Sequence, residues 1–183
     1  MQVKQVRTEV LNEKIRLENS PKPTDKPTGL GTVRFVVICK SDACELLENA
    51  KEVLKIVDNT YDKNWPTLDE WKCILPKKFI DSFDPEMSHQ EKIELVEFQK
   101  TLSWQEKTDQ DKERKWSLSS WLYWMEPENR TWFWWDSACF EEPIKDTHFV
   151  IAVTILEWPF PWGALRWLFK AFGAIDVVPE DEV

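Results

Sequence analysis

Apolar positions along the chain change period several times, and each change marks an element. Residues 33–39, VRFVVIC, are β-branched and aromatic without a break, the pattern of a buried strand. From there Ala43, Leu46, Leu47, Ala50, Val53, Leu54 and Val57 recur at helical spacing. They predict an amphipathic helix ending near Asp58, with Ser41 as its N-cap. Thr67 with Glu70, and Ser88 with Glu91, have the spacing of a capping box. A short helix is therefore expected from Leu68 to Ile74, and another after Ser88 with Ile93, Leu95, Val96, Phe98 and Leu102 as its apolar stripe. Between them Pro76 starts a short piece carrying Phe79, Ile80 and Phe83. Residues 105–115, QEKTDQDKERK, hold no apolar side chain and read as a solvated helical extension or a loop.

The pattern then turns aromatic. SLSSWLYWM (117–125) and TWFWWDS (131–137) flank EPENR, and two β-prone runs around a short turn predict a hairpin. HFVIAVTILEW (148–158) predicts a third strand beside it. Pro159 and Pro161 lead into a helix with Leu165, Leu168, Phe169 and Phe172 buried, Arg166 and Lys170 wet, and Gly173 as its left-handed cap. AIDVV (174–178) reads as a last short strand. The order predicts an α+β fold: a single mixed or antiparallel sheet of about five strands, with helices mainly on one face. A ferredoxin-like element order with a helical insertion is the nearest architecture. Residues 1–30 differ, with Pro21, Pro23 and Pro27, mixed charges and no aromatic residue. They read as a flexible or loosely docked arm and linker, which leaves 31–183 as one α+β domain.

Nine of the 12 tryptophans fall between Trp116 and Trp167, which makes the predicted strands apolar on both faces. In an extended strand Trp132 and Trp134 point one way, Phe133 and Trp135 the other. A half-exposed sheet would alternate with polar residues, so both faces are expected to be covered. Helices can cover one face. The arm, the remaining helices or another molecule would cover the second, and the aromatic cluster is accordingly core, interface or pocket wall.

Charge narrows the partners. The 183-residue chain carries a net charge of −9 and a pI near 4.9, which argues against the phosphate backbone of nucleic acid and against an anionic membrane surface. It permits a basic protein partner. The longest apolar run, FVIAVTIL, is far shorter than the ~20 residues a membrane span needs. The N-terminal segment lacks the apolar stretch of a secretory signal, and Cys39, Cys44, Cys73 and Cys139 are expected as free thiols in a cytoplasmic protein. Cys39 and Cys44 have no second cysteine pair or nearby histidine to complete a metal site, and both read as core thiols. None of the four glycines lies in a phosphate-cradling motif, so no cofactor is expected.

Candidate chemistry is sparse. Asp146 and His148 share a face of the third strand, where the carboxylate could orient the ring; His89 lies in a charged first turn. Glu126, Asp136, Glu141, Glu142, Asp146 and Glu157 fall at strand ends, where a general acid/base pair could assemble or where Arg130, Lys145 and Arg166 could simply neutralise them. The expected function is a non-enzymatic protein-binding module that docks a protein partner or its own twin. Its candidate surface is Trp124, Glu126, Arg130, Trp132, Trp134, Asp136, Glu157 and Trp162. The alternatives are a small-ligand binder or enzyme with a carboxylate and Trp pocket at the sheet rim, and an acidic nucleic-acid mimic that inhibits a basic protein.

Overall fold

The β-branched and aromatic runs pair into one antiparallel sheet in the computed structural model, which describes residues 2–40, 42–103, 106, 116–140 and 146–182. Strands β1 (Gly31–Ile38), β2 (Trp132–Cys139), β3 (His148–Ile155) and β4 (Asp176–Pro179) lie in the order β2-β3-β1-β4. β1 and β3 pair from Gly31↔Ile155 to Ile38↔His148. β2 follows β3 from Trp132↔Ile155 to Cys139↔Phe149, with a register shift between Trp134 and Asp136. The helices are α1 (Gln2–Arg16), α2 (Ala43–Asp58), α3 (Leu68–Ile74), α4 (Lys77–Ile80), α5 (His89–Thr101), α6 (Leu118–Tyr123) and α7 (Gly163–Lys170). Both capping boxes close, Thr67 with Glu70 and Ser88 with Glu91. Among the described residues no helix is long and apolar enough to cross a membrane. Ser41, Glu141, Glu142, Lys145 and all of 105–115 except Glu106 lie outside the described residues.

Among the described residues the sheet has four strands, not five, because 117–125 forms a short helix and a turn instead of a strand. Ser117 caps α6 by accepting from the Ser120 amide, and Leu118, Trp121, Leu122 and Met125 are all buried. Those positions follow i, i+3, i+4, i+7, a helical period that the β-prone aromatic residues conceal. Trp121 completes its burial by donating its indole N–H to the Ala164 carbonyl at 2.9 Å.

Cross-strand partners share a face, and the register makes one face the core. Trp132, Trp134, Ser137 and Cys139 of β2 stand beside Ile155, Val153, Ile151 and Phe149 of β3. Val33, Phe35 and Val37 of β1 continue the rows. α2 and α7 lie on this face, with the Phe169 ring 5.7 Å from Phe149 and 6.4 Å from Trp134. The opposite face is covered only in part. Thr32, Arg34 and Ala138 are exposed there, and Asp136, Ala152 and Asp176 are half-buried. Val36, Val150 and Thr154 are nevertheless buried on this face, so its exposed part is the small and polar positions around them. Phe133 is buried there too, and the Arg130 guanidinium stacks on it at 4.7 Å.

The N-terminal segment differs most from its reading as a loose arm. α1 packs on β2, with Val6, Glu9, Val10 and Glu13 on one buried helical face and Leu17 just beyond it. β2 is an edge strand, and α1 covers that edge: the Glu13 carboxylate accepts the Trp134 backbone N–H. The proline-containing segment then folds back along the same side. Arg16 pairs with Asp25 at 2.8 Å, and the Thr28 hydroxyl donates to Glu9. The Leu30 N–H reaches the Ile155 carbonyl at 2.8 Å. Gly29 enters this close approach at φ 67°, where a Cβ would stand 2.3 Å from the Ile155 oxygen, so only glycine fits. α5, by contrast, buries none of its residues, and Ile93, Val96 and Phe98 of its expected stripe are exposed.

Candidate functional site

The expected surface residues divide between core and rim. Trp132 and Trp134 are only 1% exposed and belong to the core, and Arg130 is fully buried. Trp124, Glu126, Asp136 and Trp162 are half-buried, and Glu157 is exposed. Trp162 leans on Phe35, with ring centroids 5.3 Å apart. The carboxylates do not converge. Asp146 and Glu157 lie beyond opposite ends of β3, a strand roughly 25 Å long, and Asp136 pairs with Ala152 on the open face between them. His148 Nδ1 and the neighbouring Thr147 hydroxyl share a hydrogen bond of 2.8 Å, and the ring meets Phe140 edge-on. Among the described residues no group of three His, Cys, Asp or Glu side chains could hold a metal ion. A shallow cleft of about 170 Å³ lies between Lys40, Asp42, Glu45, Lys78 and Phe172, well below the ~300 Å³ where drug-sized ligand pockets begin.

Two arrangements that the sequence did not disclose stand out. The first is a sealed ionic cluster. Arg130, at the entry to β2, faces Glu13 from α1 and Asp58 from the end of α2, all three 0% exposed. Arg130 Nη2 approaches Glu13 Oε1 at 2.8 Å and Oε2 at 2.6 Å, and Nη1 approaches Asp58 Oδ1 at 2.9 Å. Its Nε donates to the Trp132 carbonyl at 3.1 Å. The Tyr61 hydroxyl donates to the Met125 carbonyl beside it. Burial pushes the Tyr61 phenol up, so it stays a neutral donor.

Two carboxylates around one guanidinium leave a negative charge that a dry interior disfavours, and a proton removes it. Burial raises the Glu13 carboxyl well above the usual range against the pull of Arg130, and Asp58 adds to the rise. Asp58 is also raised, by burial, with Arg130 and a hydrogen bond from Glu13 working the other way. Glu13 Oε2 and Asp58 Oδ2 have no other hydrogen-bond partner. A proton on Glu13 donated to Asp58 serves both atoms and leaves the cluster neutral. Burial opposes the charge on Arg130 itself, but the pull of the Glu13, Tyr61 and Asp58 oxygens around it outweighs burial and keeps it charged.

This proton predicts a pH dependence. Above the unfolded carboxyl pKa of about 4.3, the folded chain binds more protons at Glu13 than the unfolded chain, so stability falls as pH rises to the raised folded value. The contribution is fully present below the unfolded pKa. Glu13→Gln keeps a neutral donor and acceptor but cannot titrate. In urea denaturation, wild type should lose stability relative to Glu13→Gln by up to ~1.4 kcal/mol per pH unit across that window. A difference that does not change with pH would mean that Glu13 is ionised in the folded chain.

The second arrangement is a rim. The Leu156 N–H donates to the Thr131 carbonyl at 2.8 Å, joining the turn before β2 to the loop after β3, and Leu30 bonds to Ile155 at the same end. Three acidic residues lie on these segments: Glu126 and Glu128 in the turn, Glu157 in the loop. Partial burial and neighbouring Glu128 hold the Glu126 carboxyl above its usual value, against a hydrogen bond from Asn129. Trp158 is 69% exposed and Leu30 66% exposed, and exposed Tyr123 meets Trp124 edge-on at the end of α6. Among the described residues the exposed tryptophan is thus Trp158, which follows Glu157, whereas those of the TWFWWDS run lie in or against the core. No known protein family matches the chain, and neither a curated protein nor a solved structure is similar to it.

Proposed function

We propose that the chain is a non-enzymatic protein-binding module that docks a basic protein partner on the rim formed by Leu30, Tyr123, Glu126, Glu128, Glu157 and Trp158. The observation that carries this reading is the exposure of Trp158, a large aromatic side chain that follows Glu157 at the end of the sheet where Leu30 bonds to Ile155. Tryptophan at the centre of a patch is the residue type that most often dominates binding energy, and acidic neighbours select a basic surface. The same acids disfavour a twin, because two copies would bring like charges together. Separated carboxylates and a small cleft weaken the enzyme and small-ligand alternatives. The nucleic-acid mimic needs rows of unpaired acids, and the helix surfaces instead alternate sign, as in Glu48–Lys51, Asp69–Lys72 and Glu97–Lys100.

The scaffold beneath the rim is best read as a ferredoxin-like β-α-β-β-α-β unit, β1-α2-β2-β3-α7-β4, with α3 to α6 inserted between α2 and β2 and α1 added in front. The four free cysteines fit a reducing compartment, and we place the module in the cytoplasm.

Affinity capture with quantified binding tests the rim. Trp158→Ala should weaken capture of a basic partner by about 10–30-fold, the loss expected of an interface hot spot. Leu11→Ser, on the exposed side of α1, should leave it unchanged. Equal capture by wild type and Trp158→Ala would overturn the proposal, as would a stable dimer in sedimentation that Trp158→Ala dissociates.

A further inference from the structure

We propose that Cys44 and Cys139 form a reversible disulfide that clamps the first turn of α2 to the end of β2, making this corner of the sheet a site of oxidative modification. The pair comes together through the register. Cys139 closes β2 opposite Phe149, on the face that α2 covers. The Ala43 N–H is held by the Asp146 carbonyl at 3.1 Å, and the Cys39 N–H by the Thr147 carbonyl at 2.8 Å. These bonds tie the start of α2 to the turn that enters β3 just before Phe149. Cys44, Glu48 and Lys51 follow at i, i+4, i+7 along one side of the helix, and the Lys51 ammonium sits 5.8 Å from the Trp134 ring on the same strand as Cys139. The helix side that carries Cys44 therefore faces β2 on the face where Cys139 stands, near enough for Cys44 to raise the Cys139 thiol.

Both thiols are exposed and unbonded, so Cys44 is not the core thiol expected from its place near the helix stripe. Cys39 is: it is buried and directs its Sγ at the Thr147 carbonyl, 3.3 Å away. Cys73 is exposed on α3 and provides an internal control. Burial first, then Cys44 and Glu48, hold the Cys139 thiol up against the opposing Lys51, which suits Cys139 to the resolving role.

The oxidant is a hydroperoxide. The Cys44 sulfur attacks the peroxide oxygen, the O–O bond breaks, the alcohol (water, for hydrogen peroxide) departs with a proton, and Cys44 becomes a sulfenic acid. The Cys139 sulfur then attacks the Cys44 sulfur, forming the S–S bond, and the sulfenic oxygen leaves as water with the Cys139 proton. Two electrons pass from the thiols to the peroxide, and a dithiol reverses the reaction by exchange.

The test treats the full chain with hydrogen peroxide, counts thiols after denaturation, weighs the intact protein and maps linked peptides. The expected result is the loss of two titratable thiols, a mass lower by two hydrogens, a single peptide joining Cys44 to Cys139, and full recovery with dithiothreitol. Because the bond closes about 95 residues of chain, the oxidised protein should melt about 5–15 °C higher. Cys73→Ser should behave as wild type, whereas Cys44→Ser and Cys139→Ser should each lose the link while melting like the reduced chain. Oxygen added to either sulfur without a link, or a link through Cys39 or Cys73 instead, would overturn the proposal.

Discussion

Arg130→Met should lower stability by about 3–5 kcal/mol, because it leaves two buried carboxyls without the cation that compensates them. Methionine keeps much of the length of the side chain, so the loss reads the charge more than the space. The Arg130 guanidinium also stacks 4.7 Å from Phe133 and 5.0 Å from Trp132, and it satisfies the Trp132 carbonyl. Arg130→Lys should therefore fail to restore the wild-type value, since an ammonium cannot span both carboxyls, the carbonyl and the rings at once. The deficit should depend on pH. Without the cation both carboxyls must stay protonated to remain buried, so the folded variant holds still more protons than its unfolded chain, and its deficit grows as pH rises above about 4. Removing all three charges at once, in Arg130→Met with Glu13→Leu and Asp58→Leu, should recover most of the loss, as apolar replacement of buried ion clusters can. Urea denaturation at several pH values decides the matter. A loss below about 1 kcal/mol for Arg130→Met would put the cluster in the class of solvent-screened surface pairs.

What could be read from the chain was what is local. β1, α2 and the two capping boxes carry their signals within one or two turns, and each lies where the pattern put it. β2, β3, α7 and β4 were legible too, from unbroken apolar runs and the prolines and glycine that bound them. The misreadings came from residues whose type and period disagree. In α6 and the turn after it the aromatic side chains favour a strand while Leu118, Trp121, Leu122 and Met125 keep helical time. In α1 the buried face contains Glu9 and Glu13, so the helix looked like a polar arm. The partner that makes Glu13 a core residue is Arg130, 117 positions away, and nothing near Glu13 announces it. The same distance hid the site. Arg130 was expected to neutralise carboxylates at the sheet rim; it does neutralise carboxylates, but at the centre of the fold. The TWFWWDS run advertised a surface and supplied the core, whereas Trp158, between Glu157 and Pro159, gave little warning of its exposure.

Deleting residues 1–17 should be at least as damaging, with an outcome opposite to that of losing a loose arm. Val6, Val10 and Leu17 are buried in the intact chain, and burial of such side chains contributes about 1.5–3 kcal/mol each. The helix also costs ordering entropy, which the truncated chain recovers. A net loss of about 3 kcal/mol or more remains, a large share of the stability of an ordinary domain. The second consequence is structural. α1 covers the outer edge of β2, and Glu13 occupies the Trp134 N–H that would otherwise face outward. Exposing that edge presents unpaired backbone donors and acceptors on a strand rich in tryptophan, the arrangement that invites strand addition from another copy. The truncated chain should therefore unfold at lower urea, elute as larger species in gel filtration, and lose hydrogen-exchange protection at the Trp134 amide. A synthetic peptide of residues 1–17 added in trans should return the amide protection and shift the elution back toward monomer. If instead the truncated chain remained monomeric with the urea midpoint of the full protein, α1 would contribute nothing to the fold, and the sealed cluster around Arg130 would have to stand on Asp58 alone.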